Sequence, residues 1–224
     1  MTLNTLQRIT IEPNSTATSA VIWLHGLGDS GAGFSPIVPI LKLPKDHQIR
    51  FIFPHAPEQA ITINQGHVTR SWYDIKSMEL TKRADLNGVL ESEQAIHALI
   101  QEQLDDGIAS EKIVLAGFSQ GGVMSLFTGL RYPQKLAGIL AMSCYLAHGD
   151  KLPPDLSSAN SQTAILQQHG EQDQVVLHSA GKIANKLLLE NGYQTEWKSY
   201  SMQHTLIASQ LTDIAKWLKT ILIE

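Results

Sequence analysis

Apolar residues fall into short runs that alternate with longer stretches in which they recur every three or four positions. The short runs are bounded by Gly, Pro or Asn and predict strands. They lie at 6–11, 20–24, 49–53, 113–116, 136–145, 163–167 and 195–200, the first at a sheet edge. The periodic stretches predict helices at 36–42, 85–107 and 120–131, from about 178, and at 207–221. This alternation predicts an α/β fold with a doubly wound, mainly parallel sheet and helices on both faces.

The strand predicted at 113–116 runs directly into a glycine-flanked serine. Gly117, Ser119 and Gly121 match G-x-S-x-G, in which the serine occupies a sharp strand-to-helix turn. Glycine suits both flanks, because a Cβ there would collide with the neighbouring helix or strand. The following helix, 120–131, directs free N–H groups at the serine, where negative charge develops in acyl transfer. We therefore predict Ser119 as a nucleophile, with a glycine-rich turn of no catalytic role as the alternative.

The glycine-rich loop after the strand at 20–24 allows two interpretations. Residues 26–31 spell G-x-G-x-x-G, the dinucleotide-binding pattern. That pattern also needs an acidic residue at the end of the next strand, 49–53, and none stands there. We favour the other interpretation, in which the backbone N–H groups of Leu27 and Gln120 form an oxyanion hole. We expect His25 to shape this loop through hydrogen bonds.

A serine nucleophile needs a base to take its proton and a carboxylate to orient that base. In this architecture the acid and then the histidine follow the serine along the chain. Two carboxylates, Glu171 and Asp173, follow a predicted strand end, and we choose Asp173 because apolar residues after it would hold its loop rigid. Of the later histidines, His178 opens a helix and is expected to be exposed. His204 follows the last strand and is predicted to be the base.

Residues 58–83 show little periodicity and are predicted to form a long loop rich in apolar side chains. Such a loop beside a catalytic centre is typical of the wall or cover of a hydrophobic groove. We assign substrate contacts to Trp72, Tyr73 and Ile75, together with Val176 on the loop of the predicted acid. For Trp72 and Tyr73, the alternative is that they seal the sheet edge.

Composition narrows the classes of function. With 224 residues, 43% of them hydrophobic, we predict a single domain over 1–224. The formal charge of −4 offers no basic surface for nucleic acid. Cys144 is the only cysteine, and its apolar surroundings predict a buried, inert thiol. No apolar stretch approaches the ~18 residues of a membrane span, and the N-terminus lacks a signal-peptide pattern, so we predict a cytoplasmic location.

With these residues in place, the chain resembles the acyl-protein thioesterase and small carboxylesterase family of α/β-hydrolases. The resemblance spans nearly the whole length and rests on the motifs LHGLGD at 24–29, PHAP at 54–57, SWYDI at 71–75 and GFSQGG at 117–122, on His169-Gly170 with Asp173, and on Met202 with His204. It implies Ser119, Asp173 and His204 as a catalytic triad and the amides of Leu27 and Gln120 as an oxyanion hole. It also implies an apolar acyl-binding groove beside the Trp72 loop. One departure is Ser201, which stands where such chains often have glycine.

We therefore predict a serine hydrolase that cleaves carboxylic esters or thioesters through an acyl-enzyme, with no metal or cofactor. Small-molecule esters, lipid esters and S-acylated proteins stay open as substrates, and a homodimer stays open as well. The alternative within hydrolases is a lysophospholipase. More remote alternatives are a nicotinamide-dependent oxidoreductase built on residues 26–31 and a non-catalytic acyl-binding protein.

Overall fold

A computed structural model describes residues 6–224, and its strands and helices alternate along the chain. The strands are β1 (Arg8–Ile11), β2 (Ser19–Leu24), β3 (Ile49–Pro54), β4 (Glu58–Ile61), β5 (His67–Arg70), β6 (Ile113–Phe118), β7 (Gly138–Met142), β8 (Ala164–Gly170) and β9 (Thr195–Tyr200). The helices are α1 (Gly31–Phe34), α2 (Ile37–Leu41), α3 (Leu86–Asp105), α4 (Gln120–Arg131), α5 (His178–Glu190) and α6 (Ala208–Leu222). The helix predicted at 120–131 has the same bounds as α4.

Seven of the strands form one sheet in the order β1-β3-β2-β6-β7-β8-β9. Only the β1–β3 pair in this sheet is antiparallel, so the predicted edge strand and the mainly parallel sheet are both confirmed. On central strand β6, Gly117 pairs with Leu24 of β2 and with Ala141 of β7. Parallel strands end at a common edge, so the loops after β2, β6 and β8 meet there.

Apolar side chains fill two cores, one on each face of the sheet. Successive strand residues point to opposite faces, so Ile22 packs into the core that contains residues of α3, α4 and α5. Its neighbour Trp23 packs into the core with residues of α1, α2 and α6. Helices on both faces are therefore confirmed. In residues 6–224, no helix combines the length and the apolar character that crossing a membrane requires.

The strand predicted at 136–145 is shorter in the structure, where β7 ends at Met142. The apolar run continues, but Ser143 adopts a positive φ of 48°, which turns the chain out of the strand. Tyr145, at the end of this run, lines a cavity above the sheet. An apolar run alone does not distinguish a strand residue from a buried residue just beyond the strand.

The region predicted as an irregular loop, 58–83, contains a second sheet. Strands β4 and β5 form an antiparallel hairpin in which Glu58 pairs with Arg70. The turn residues Gln65 and Gly66 both adopt positive φ, at 57° and 80°. Residues 62–66 connect the two strands, so the Asn-Gly or Asp-Gly signal of a two-residue hairpin loop does not apply to this loop. Because the longer loop lacks this short signal and each strand has only four residues, the sequence pattern did not reveal the hairpin.

Candidate active site

Ser119 occupies a tight turn between β6 and α4, with φ 54° and ψ −118°. A non-glycine residue rarely adopts this conformation, and the surrounding structure must hold it. A Cβ on Gly117 would lie 2.1 Å from the carbonyl oxygen of Gly121, and one on Gly121 would lie 2.2 Å from that of Leu24. The predicted steric need for glycine at both flanks is therefore confirmed. The turn directs the serine hydroxyl into the cavity above the sheet.

Three side chains that are distant in sequence form one hydrogen-bonded chain at this edge. The Ser119 Oγ lies 2.9 Å from His204 Nε2. The other ring nitrogen, His204 Nδ1, donates to Asp173 Oδ2 at 2.6 Å. The imidazole also packs against Phe118, with 4.7 Å between ring centroids. These contacts assign the proton of the neutral imidazole to Nδ1, so Nε2 can accept the serine proton.

The carboxylate of Asp173 is buried and almost fully hydrogen-bonded. Its Oδ1 accepts from the backbone N–H groups of Val175 and Val176, both at 2.9 Å. Burial by itself would raise the pKa of Asp173, but hydrogen bonds from His204 and from these two amides outweigh burial and lower it. Asp173 is therefore held ionised beside the histidine. Glu171, the alternative acid, is exposed to solvent.

Two backbone amides in the lining of the serine's cavity have no acceptor among residues 6–224. Leu27 and Gln120 both line the cavity that contains Ser119. In the described part of the chain, neither amide donates to a backbone or side-chain oxygen, although the amides of Gly28 and Asp29 do. A pair of free N–H groups next to a nucleophile is the arrangement that an oxyanion hole requires.

His25 holds the loop that carries Leu27. Its Nδ1–H donates to the carbonyl of Gly26 at 2.7 Å, and its Nε2 accepts from the N–H of Ala56 at 3.0 Å. Burial lowers the pKa of His25, which keeps the ring neutral and able to make both bonds. The predicted structural role of His25 is therefore confirmed.

The glycine pattern at 26–31 does not form a dinucleotide site. The helix after it, α1, has only four residues, too short to present the N-terminus on which a pyrophosphate sits. A Cβ on Gly31 would lie 2.0 Å from the carbonyl oxygen of Phe53, so this glycine is needed for packing against β3. The oxidoreductase alternative therefore has no structural support here.

Ser119 opens into a cavity of about 480 Å³. Two of the four predicted substrate contacts, Ile75 and Val176, line it. The other apolar lining residues are Leu27, Ile63, Met78, Phe118, Tyr145 and Val175. Such a largely apolar wall beside a few polar groups suits an acyl chain.

The prediction that Trp72 and Tyr73 contact substrate needs correction. Their side chains are 1% and 0% exposed, and neither lines the cavity. The Trp72 Nε1–H donates to the carbonyl of His25 at 2.9 Å, and the Tyr73 hydroxyl lies 3.0 Å from that of Tyr145. Both rings belong to the core that also contains the cavity-lining residues Ile75 and Tyr145, and so support the cavity wall from within the core. Apolar character alone does not distinguish such core positions from the wall itself.

The side chain of Gln120 links the serine turn to this buried support. Its Oε1 accepts from the Trp72 N–H at 2.8 Å, and its Nε2 donates to the Tyr73 carbonyl at 2.6 Å. The amide also contacts the Ser71 hydroxyl. Sequence reasoning gave Gln120 only a backbone role, because the motif tolerates any residue at that position.

Cys144 and His178 were not assigned to the catalytic machinery, and neither is hydrogen-bonded to Ser119 in the structure. The Cys144 thiol is buried, as predicted, and burial raises its pKa to about 12. His178 is half-buried rather than exposed, because its ring packs against Trp197 and its Nε2 contacts the Ser199 hydroxyl at 2.9 Å. In residues 6–224, no group of three or more His, Cys, Asp or Glu side chains is arranged to hold a metal ion.

The sheet order and the positive-φ serine at the end of its central strand define the α/β-hydrolase fold. Residues 6–222 match the model of the phospholipase/carboxylesterase family. The chain is 38% identical to acyl-protein thioesterase 1 of Gibberella zeae over 92% of this chain and 91% of that one. It is 36% identical to a probable carboxylesterase of Oryza sativa over 90% of this chain and 77% of that one. The crystal structure of Arabidopsis thaliana SOBER1 superposes with a TM-score of 0.85, at 33% identity, over 91% of this chain and 99% of that one.

The chain belongs to the phospholipase/carboxylesterase family of α/β-hydrolases, and it is an ester or thioester hydrolase.

Proposed function

We propose that this enzyme is a serine hydrolase that cleaves acyl esters and thioesters through a covalent acyl-enzyme. Ser119 is the nucleophile, His204 the general base and acid, and Asp173 the group that orients the histidine. The observation that carries the proposal is the unbroken chain of contacts from Asp173 through His204 to Ser119, at 2.6 and 2.9 Å. These contacts have the geometry that nucleophilic catalysis by serine requires.

In the first half-reaction, Ser119 Oγ attacks the acyl carbonyl carbon while His204 Nε2 takes the hydroxyl proton. The carbonyl oxygen becomes an oxyanion, and the amides of Leu27 and Gln120 donate to it. When this intermediate collapses, the bond to the leaving group breaks and His204 returns the proton to the alcohol or thiol. Asp173 stabilises the imidazolium that exists between these two proton transfers.

In the second half-reaction, a water molecule attacks the acyl-enzyme carbonyl as His204 takes one of its protons. The same two amides stabilise the second oxyanion. Collapse breaks the bond to Ser119 Oγ, which receives the proton from His204, and the free carboxylic acid is released. Each step moves protons only among water, substrate, His204 and Ser119, so no redox partner is needed.

The acyl group of the substrate lies in the apolar cavity beside Ser119. Relatives named acyl-protein thioesterase support S-acylated proteins as one substrate class. The phospholipase in the family's description supports a lysophospholipase as the second candidate function. A panel of acyl thioesters, carboxylic esters and lysophospholipids with one acyl chain separates these candidates by kcat/KM.

The first test compares Ser119→Ala with Ser179→Ala, an exposed serine on α5, in the hydrolysis of p-nitrophenyl esters. We expect Ser119→Ala to lower kcat by about 10⁴-fold or more and Ser179→Ala to leave it unchanged. Ordinary activity in a folded Ser119→Ala protein would sink the proposal. A wild-type protein that binds acyl chains but releases no product would instead support the non-catalytic alternative.

The cytoplasmic location and the possible homodimer are predictions that need experiments of their own. A cytoplasmic location is tested by fractionation of cells that produce the full chain. The homodimer is tested by light scattering at the concentrations used for kinetics, with and without a bound acyl inhibitor.

A further inference from the structure

Arg83 places a cation in the wall of the catalytic cavity, and no step proposed above uses it. Among the described residues, it is the one Lys or Arg that lines this cavity. Its neighbours on the wall include the apolar side chains of Ile63, Ile75 and Met78. A charge beside apolar surface is costly unless a partner or a ligand compensates it.

The guanidinium is fixed in position but keeps unused donors. Its central carbon lies 5.0 Å from the centre of the Tyr145 ring, a distance typical of stacking between a cation and an aromatic ring. Nη2 donates to the carbonyl of Val175 at 3.1 Å. The Nε–H is buried and has no acceptor in the described part of the chain. Contacts with two walls of the groove therefore hold Arg83 without using all of its five N–H groups.

The other four arginines contrast with Arg83. Arg8, Arg50, Arg70 and Arg131 each have a carboxylate within 3.9 Å. Arg83 forms no ion pair with any residue in the described part of the chain. All five arginines are half-buried, but only Arg83 has no carboxylate partner among the described residues, which leaves it free for an anionic ligand.

The charges around the cavity indicate which part of the substrate this anion belongs to. Asp29 is the one carboxylate in its lining, and it also lines a neighbouring depression with His204 and Leu206. Arg83 does not reach that depression. An anionic leaving group on the Asp29 side would meet a like charge. An anion on the acyl chain, in the cavity that Arg83 and Asp29 both line, would have the Arg83 cation within that lining, whereas the depression offers only Asp29 among the described Asp, Glu, Lys and Arg residues.

We propose that Arg83 determines acyl specificity by binding a carboxylate at the far end of the substrate's acyl chain. A planar guanidinium with free N–H groups matches a carboxylate in a two-point hydrogen-bonded pair. The preferred substrates are then monoesters or monothioesters of dicarboxylic acids. This inference rests on the proposed function, because it assumes that the acyl chain occupies the cavity beside Ser119.

The test uses three p-nitrophenyl esters with one chain length: the octanoate, the octanedioate monoester, and the octanedioate whose far carboxyl is capped as a methyl ester. The measured quantity is kcat/KM for the free carboxylate divided by kcat/KM for the capped ester. We expect Arg83→Gln to lower this ratio by about 10-fold or more, the usual effect of losing a charged hydrogen bond, and Arg83→Lys to give an intermediate ratio. Lys82→Gln is the matched control, because Lys82 is an exposed neighbouring cation, and it should leave the ratio unchanged.

Three results would overturn the inference. One is an unchanged ratio in Arg83→Gln with normal hydrolysis of the octanoate. Another is an equal fall of kcat/KM for all three esters, which would make Arg83 only a support for the groove through Val175. The third is a kcat/KM that rises, in an Arg83-dependent way, when the leaving group of an octanoyl ester carries a phosphate. That result would show that Arg83 binds an anion on the leaving group and not on the acyl chain. Failure of the proposed function looks different, since wild type and Ser119→Ala would then hydrolyse the octanoate equally.

Discussion

The catalytic edge, meaning the turn at Ser119 and the loops that carry Asp173 and His204, is fixed largely by backbone geometry. The groove segment, residues 58–83, is held to it largely by side chains, among them the buried amide of Gln120. The positive φ of the serine and the two amides on the aspartate leave the catalytic edge little freedom. The reacting groups are therefore positioned mainly by the main chain, whereas the choice of substrate depends on which side chains line the cavity.

The largest expected effect comes from removing the base at the catalytic edge. His204→Ala should lower kcat by about 10⁴-fold or more, because His204 is the only base in contact with Ser119 Oγ among the described residues. Steady-state kinetics with a p-nitrophenyl ester measures this loss. His178→Ala is the matched control and should keep near-normal kcat. Similar losses of kcat in both variants would contradict the assignment of His204, and not His178, as the base.

A pair of substitutions in the groove segment separates support from substrate contact. Trp72→Ala should lower the free energy of unfolding by about 3–5 kcal/mol, since its side chain is 1% exposed. Met78→Ala should barely change stability, because Met78 is 67% exposed, but should raise KM for long-chain esters more than for short ones. Urea unfolding and a chain-length series of esters measure the two effects. A folded, stable Trp72→Ala protein with altered chain-length preference would contradict a supporting role for Trp72 and indicate that it contacts the substrate.

The main-chain fit at the catalytic edge is tested by glycine substitutions. Gly117→Ala should lower the free energy of unfolding by about 3 kcal/mol, because the added Cβ would lie 2.1 Å from the Gly121 oxygen. Gly66→Ala adds a Cβ in the open hairpin turn, where φ is +80°. It should lower the free energy of unfolding by only about 1–2 kcal/mol, the cost of a left-handed backbone conformation for alanine. Denaturant unfolding compares them directly. Equal decreases in the free energy of unfolding for the two variants would contradict a steric clash between a Cβ at position 117 and the Gly121 oxygen.

The smallest effect is a pH dependence of stability that originates at Asp173. Hydrogen bonds hold the pKa of this carboxyl below its ordinary value in the folded chain. Its stabilising contribution is therefore complete above the unfolded-state pKa of about 3.9 and is lost as pH falls through the lower folded-state value. The difference in unfolding midpoint between wild type and Asp173→Asn should shrink as the pH drops below about 4. Glu171→Gln, which removes an exposed carboxylate, is the control. A difference in unfolding midpoint that does not change with pH would contradict Asp173 as the source of this pH dependence.

The sequence predicted the catalytic edge well because its residues have strict backbone requirements. The strand, the glycine-flanked Ser119 and the helix at 120–131 form a pattern in which each position has a steric reason. Asp173 and His204 were found from their places after strand ends, and the structure brings both into contact with the expected partners.

The groove was harder to predict, because apolar character does not say whether a side chain enters a cavity or a core. Trp72 and Tyr73 are as apolar as a groove wall requires, yet packing buries both. Arg83 and the side chain of Gln120 stand in no periodic pattern, so only their three-dimensional contacts identify them. The hairpin was missed because residues 62–66 form a longer loop between its short strands, so the Asn-Gly or Asp-Gly signal of a two-residue loop was absent.

Covalent trapping tests the central claim most directly. Wild-type protein is treated with a fluorophosphonate, and intact mass and peptide mapping locate the adduct. We expect one adduct per chain on Ser119, none in Ser119→Ala, and much slower labelling in His204→Ala because the hydroxyl then lacks its base. An adduct that forms at the same rate in folded Ser119→Ala, on any other residue, would contradict the account.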